Sequence, residues 1–422
     1  MTEVSSSSST KEKAPSEMPL STPANNVVGS GPEFERPFIF KWIPYPLKWE
    51  SGPNAATGLT VNMFGRAAYF LSGVFIGPGL LTLAWGEALE DCPNPAEDPA
   101  GWGECYNNAE VYGFKPSSLL TNISTIGGIC AALGLPIAGA IMDHTHYRRQ
   151  VGMTMAVILI LIKVAELILM NEDTWFALAI LQIFKAVIFY MHVTTLYAYS
   201  SELSDDAKVQ SNYQSYFYRT MFVGMIIYMF EVLLPSRIIQ GDTADNVQTA
   251  RFAMGFAILM SLPCFFISWY FFLGDRPPLS RVPEGRTLLT TGFVQLWNTS
   301  KMIKKELPDV GYFLIALLFS EAADAAFPLV AVTYLNQYLG FDAIEIGYII
   351  AIILAGGYPG AWFGSKLSTK VNPINSIKIC LAFDMGLIVL QSLTLGPENK
   401  NLMYFYAVLW GLGQVSLVSN NL

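Results

Sequence analysis

The chain has 422 residues, of which 52% are apolar and 14% charged, with a formal net charge of −8. An ordinary soluble domain carries roughly 25% charged residues, so a soluble body with a single anchor is excluded. The charges sit in short loops between apolar runs, and no basic patch interleaved with aromatics occurs, which argues against nucleic-acid binding.

Residues 1–35, with the run Ser5 to Ser9 followed by Lys, Glu, Pro and Thr, hold too few apolar side chains to fold. They lack the apolar core of a signal peptide, so a disordered cytosolic tail is expected. Residues 36–65 are richer in Trp, Pro and aromatics and are expected to lie at the membrane interface. A bilayer core needs about 20 mostly apolar residues in a helix. Ten such stretches occur, at 66–89, 117–141, 150–170, 174–200, 213–235, 251–273, 311–335, 343–364, 376–396 and 401–419. They are continuous rather than alternating segments of about ten residues, which rejects a barrel.

The loop after span 1, about 85–116, is acidic and contains Cys92 and Cys105. These two are either free thiols or, in an oxidising compartment, a disulfide. Cys130, Cys264 and Cys380 fall inside spans, and no His/Cys cluster has metal-ligand spacing. Lys and Arg then fix the orientation. With the amino terminus in the cytosol, the inner loops hold eleven of them, including Arg148, Arg149, Arg276, Lys304 and Lys305, and the outer loops mainly Lys115, Arg237 and Lys400. A basic, proline-bearing inner stretch, 274–310, separates six spans from four. The expected organisation is therefore a tail 1–35, a six-span bundle 36–273, a cytosolic linker 274–310 and a four-span bundle 311–422.

Span 2 ends in Gly139-Ala-Ile-Met-Asp143-His-Thr-His-Tyr-Arg148-Arg149, and span 8 ends in Gly360-Ala-Trp-Phe-Gly364-Ser-Lys366. Both are second spans of their bundles and both close on small residues and a basic loop, a duplication typical of secondary transporters. Here the chain resembles the major facilitator superfamily, whose loops after spans 2 and 8 read Gly-x-x-x-Asp-Arg-x-Gly-Arg-Arg. Gly139, Asp143, Arg148 and Arg149 match. His144 replaces the first Arg, one residue is inserted before the basic pair, and Gly364 replaces the second Asp. The large outer loop, the Gly- and Pro-bearing span 2 and the acidic span 7 are similar to the autophagy-related vacuolar amino-acid effluxers. The resemblance implies an all-α, two-bundle fold of twelve spans, so truncation after span 10 is expected, against a native ten-span form. It also implies a central cavity lined by spans 1, 4, 7 and 10.

An ionisable side chain inside the bilayer is expensive and so a functional candidate by default. Span 7 offers Glu321 and Asp324, one turn apart on one face. They are read as a proton-coupling or ammonium-binding pair, or as partners of cations that hold the bundle. Span 4 offers Lys185, Phe189 and His192 at spacings of four and three, with Tyr199 continuing the stripe. Lys185 suits an anionic group or a span 7 carboxylate, and His192 is either a proton-exchanging group or a packed core residue. Lys163 and Glu166 in span 3 are expected to pair along their helix as a structural element. Asp143, Arg148 and Arg149 are read as a conformational element. No Gly-x-x-x-x-Gly-Lys-Ser/Thr loop occurs, which disfavours a nucleotide-driven pump. Neither a nucleophile-and-base set nor a metal motif is present, so an enzyme is not expected, nor a cofactor or metal. What is expected is a secondary transporter of a small polar solute, such as an amino acid, with proton coupling left open. Its setting is the plasma membrane or a vacuolar or lysosomal membrane, and its form a monomer. The rival from another class is a receptor or scaffold on the same fold.

Overall fold

A computed structural model describes residues 52–94, 96–241, 245–283, 285–371 and 373–420. The tail 1–35 and the aromatic segment through residue 51 lie outside the described residues. So do the side chains of some helical positions, Glu321, Asp324, Gly364 and Gln414 among them. Among the described residues the regular secondary structure is all helical, apart from one isolated bridge between Val111 and Phe114.

Twelve helices follow in order: α1 Pro53–Ala88, α2 Pro99–Asn108, α3 Leu119–His144, α4 Arg148–Leu169, α5 Trp175–Ser200, α6 Ala207–Gln240, α7 Asn246–Ile267, α8 Leu288–Glu306, α9 Pro308–Thr333, α10 Ala343–Val371, α11 Pro373–Thr394 and α12 Leu402–Asn420. Helix is what lipid demands, because no water is present to satisfy a free backbone amide or carbonyl. Among the described residues seven helices are long and apolar enough to cross a membrane: α1, α3, α4, α5, α6, α7 and α11. The remaining three expected spans are the helices α9, α10 and α12, whose described apolar stretches are shorter, at 308–319, 343–357 and 402–413.

The contacts define two ends of the bundle. At one end the indole of Trp175 donates to Glu87 at 2.6 Å, Arg251 donates to the Met170 carbonyl at 2.7 Å, and Lys400 pairs with Glu345 at 3.5 Å. Cys92 and Cys105, bonded to each other, lie in the loop at this end. At the other end Ser268 donates to the Gly58 carbonyl at 2.8 Å and Tyr199 to that of Gly274 at 2.8 Å. We refer to these as the disulfide end and the arginine end.

Close approach between helices comes from small residues, as in membrane bundles generally. A Cβ on Gly411 would overlap the backbone of α10 at Ile353 and Gly356, so α10 and α12 touch backbone to backbone. Tyr228 donates to the Ala253 carbonyl at 2.8 Å, tying α6 to α7.

The expected linker is not a plain loop. Between Pro283 and Pro308 it forms α8, opened by a reciprocal capping box in which Thr287 accepts from the Thr290 amide and Thr290 from the Thr287 amide. It closes on Lys304 and Lys305, which suit the carbonyl end of a helix. Gly292 brings α8 against the Pro136 carbonyl of α3. The prolines at 277, 278, 283 and 308 flank the helix, and none falls within it.

Candidate functional site

α1, α3 and α5 line an open cavity of about 350 Å³, to which Val332 of α9 also contributes. Its wall is mostly apolar: Phe70, Val74, Ile76, Leu80, Ile123 and Phe189 contribute. Its polar side chains are Lys185, Gln182, Ser124, Tyr69 and Tyr190. Lys185 stands about 15 Å along α5 from Trp175, near the middle of a span that must cross roughly 30 Å of hydrocarbon.

Behind the wall lies a charge cluster. Glu166 of α4 is fully buried and bridges two lysines. Its Oε2 takes Lys163 Nζ at 2.5 Å, and its Oε1 takes Lys185 Nζ at 3.0 Å. Gln182 joins it, donating to Glu166 Oε1 at 2.8 Å while its own Oε1 accepts from Lys185 at 2.8 Å. Lys163 also sits over the Tyr69 ring at 4.8 Å, and Lys185 at 5.8 Å from the same ring. Tyr69 in turn stacks on Phe189 at 5.8 Å. Lys163 and Glu166 are 0% exposed, whereas the Lys185 side chain is 15% exposed. Lys185 is thus the charged face that this cluster presents to the cavity.

The pair Lys163 and Glu166 exists as expected, but its isolation does not. Span 3 is not one of the spans the resemblance places around the cavity, yet its carboxylate reaches a cavity lysine. Three residues separate Lys163 and Glu166 along one helix, while Lys185 comes from a neighbour. Helix periodicity reports the first relation and cannot report the second.

His192 shares its helix with Lys185 but not its surroundings. It is fully buried against α7, with the indole Nε1–H of Trp269 donating to its Nε2 at 3.0 Å. Indole nitrogen only donates, so Nε2 is the acceptor and the ring proton of a neutral imidazole belongs on Nδ1. Phe265 and Trp269 cover the ring at centroid distances of 5.1 and 5.7 Å. The stripe Lys185, Phe189, His192, Tyr199 therefore passes from the cavity into the α5–α7 interface, and Tyr199 ends it at the arginine end. Glu321 and Asp324 lie on α9, with Asp324 about 12 Å along the axis from Val332.

At the arginine end the loop motif is spread over three elements. Arg148, 1% exposed, pairs with Glu202, which Arg276 also approaches at 3.5 Å. Both guanidinium groups lie 5.7 Å from the Tyr199 ring. Arg149 donates to the carbonyls of Trp269 at 3.2 Å and Tyr270 at 3.0 Å, so it caps the last turn beyond α7. It also meets Asp275 at 3.5 Å. Asp143 contributes its main-chain carbonyl, which accepts the amides of Leu279 and Ser280 at 2.8 and 3.2 Å. His144 bonds to Ser280 at 2.9 Å. Gly139 lies one turn before Asp143 on α3 with open space around its Cα.

Two further residues escaped the sequence reading. Arg66 is 5% exposed and lies 5.9 Å from the Tyr197 ring, and its Nη1 is buried with no hydrogen-bond partner among the described residues. Span 1 was expected to begin at residue 66. Instead α1 begins at Pro53, which places Arg66 about 20 Å along the helix. Asn246 joins three elements, donating to Thr82 of α1 at 3.0 Å and accepting the Ala343 amide of α10 at 2.9 Å. That amide is one of the orphan donors at the start of α10, so a side chain from α7 caps a helix beyond the linker. On the same side of Lys185, a Cβ on Gly77 would lie 3.2 Å from Val332, and one on Gly347 would meet Leu233 at 2.5 Å and Phe75 at 3.1 Å. These contacts close α1, α6 and α7 against α9 and α10 on the disulfide side of the cavity.

Among the described residues no group of three or more His, Cys, Asp or Glu is placed to hold a metal ion. A comparison with curated proteins gave no significant match. The family model described as Major Facilitator Superfamily matches residues 63–422, and the chain belongs to that superfamily of membrane transporters.

Proposed function

We propose that the chain is a secondary active transporter that carries a small polar solute, an amino acid or a metabolite of similar size, by alternating access. One observation carries this: a cavity beside the middle of α5 with Lys185 in its wall and Val332, from beyond the linker, also lining it. A cavity shared by the two sides of the linker is one that their relative movement would open and close. Contacts at Asn246, Gly77 and Gly347 on the disulfide side support an end state shut toward that side. The arginine network around Glu202 would then have to rearrange in the cycle.

Proton coupling is proposed for Glu321 and Asp324 on the sequence alone. Two carboxylates one turn apart suit it. The Lys and Arg distribution supports a cytosolic amino terminus, hence a cytosolic arginine end. The likeness in span 7 and the outer loop to vacuolar amino-acid effluxers supports a vacuolar or lysosomal membrane, with the plasma membrane as the other setting.

Flux into liposomes tests the proposal. The purified full chain should accumulate at least one solute from a panel of amino acids, sugars and organic anions under an imposed pH gradient. Lys185→Gln should reduce that flux at least tenfold. A folded chain that moves no member of the panel would return the fold to a receptor or scaffold role.

A further inference from the structure

We infer that the cavity takes a monocarboxylate with an apolar body, and that Lys185 is the group that docks its carboxylate. This rests on the transport reading above and takes its second branch, a metabolite of amino-acid size rather than an amino acid itself.

The charge count comes first. By formal charge, Lys163, Lys185 and Glu166 leave an excess of one positive charge, with Lys163 and Glu166 fully buried and the Lys185 side chain 15% exposed at the cavity. A buried net charge is expensive, and a single incoming anion removes it. A dianion would overcompensate it, and a cation would add to it.

Access comes second. Glu166 is 0% exposed, and both of its oxygens are already engaged by Lys163, Lys185 and Gln182. No described carboxylate lines the cavity, so among the described residues an ammonium group meets the hydroxyls of Ser124, Tyr69 and Tyr190 but no counter-charge. Lys185 is different. An ammonium carries three donors, and the described partners, Gln182 Oε1 and Glu166 Oε1, take two. The third is open to a carboxylate oxygen without loss of either existing bond. Glu166 would stay in place because Lys163 holds its other oxygen.

Shape comes third. The volume of about 350 Å³ lies at the small end of ligand sites, which run roughly from 300 to 1,000 Å³. Beyond Lys185 and Gln182 the wall offers Phe70, Phe189, Leu80 and Val332, surfaces for a hydrocarbon or aromatic body. A zwitterionic amino acid would bring an ammonium whose charge no described lining side chain neutralises. The carboxylate itself has two sources of one chemistry: a short soluble acid, or a fatty acid entering from the bilayer.

Calorimetric titration of the full chain in nanodiscs tests this with benzoate, benzamide, benzylamine, phenylalanine, phthalate and oleate. Benzoate should bind at least tenfold more tightly than the neutral, cationic, zwitterionic and dianionic probes. Lys185→Gln should bring benzoate down to the level of benzamide, and Lys185→Arg should stay within a few-fold of the natural chain. Oleate exceeding benzoate by tenfold supports the same docking and identifies the bilayer as the source. Benzamide, phthalate or phenylalanine equalling benzoate overturns the inference, as does the absence of binding by any probe at millimolar concentration. The ranking on the natural chain decides even if Lys185→Gln fails to fold. Benzoate binding without flux in liposomes would overturn transport and leave this inference. Flux of another solute class without benzoate binding would do the reverse.

Discussion

Glu166→Gln should destabilise the chain severely, and a second substitution should rescue it. At an effective dielectric near 20, charges 3.0 Å apart, as Glu166 and Lys185 are, attract by about 5–6 kcal/mol. The contact with Lys163 at 2.5 Å is of similar size. Burial of all three ions offsets most of that gain, so the cluster as a whole is close to neutral for stability. Glutamine keeps the shape but removes the attraction, leaving two ammoniums facing each other, that of Lys163 fully buried. Breaking a buried pair in this way costs about 3–5 kcal/mol. Lys163→Met with Glu166→Gln leaves only Lys185, which is partly exposed and still bonded to Gln182, so at least half of the loss should return. The assay is unfolding of the purified chain at fixed lipid and detergent, for the two single variants and the double. A coupling energy of about 2 kcal/mol or more is expected. Additive losses within about 0.5 kcal/mol would show that the residues act independently and would refute the cluster as a unit.

Asn246→Ala should remove the cap on the Ala343 amide, at a cost of about 1 kcal/mol, and shift the closed state roughly fivefold toward opening at the disulfide end; faster thiol labelling of Ser124→Cys from that side checks it. Gly152→Ala should drive a methyl into the Trp269 ring and lower stability by about 1–3 kcal/mol, visible in the near-ultraviolet dichroism of that indole. The two loop arginines should separate. Arg148→Ala strands the part-buried Glu202 beside a weaker Arg276 contact and should cost about 3 kcal/mol. Arg149→Ala removes a half-buried helix cap with a surface ion pair and should cost about 1 kcal/mol in the same unfolding assay.

The spans were legible because a long apolar helix needs no partner to announce itself. Each of the ten expected stretches coincides with a helix, although α1 and α6 extend well beyond the apolar run. The helix α8 is not among those stretches because its sequence is mixed rather than continuously apolar. Lys185 was legible as a lone charge deep in a span. Its link to Glu166 was not, because that contact crosses between α4 and α5 and depends on how they pack. His192 shows the same limit, since its spacing from Lys185 gives a shared stripe but not which neighbour covers it. Arg66 was hidden by an error of one boundary, and Asn246 by being an ordinary polar residue at a helix start.

The most direct test of the account is the sidedness of Ser124, which lines the cavity near Lys185. In a chain whose free cysteines Cys130, Cys264 and Cys380 are replaced by alanine, Ser124→Cys is labelled with an impermeant thiol reagent from either face of sealed vesicles. Alternating access predicts labelling from both faces. The arginine end should react faster at rest, and the balance should move toward the disulfide end when Asn246→Ala is added. Labelling confined to one face, and unmoved by Asn246→Ala, would contradict a cavity that opens to each side in turn.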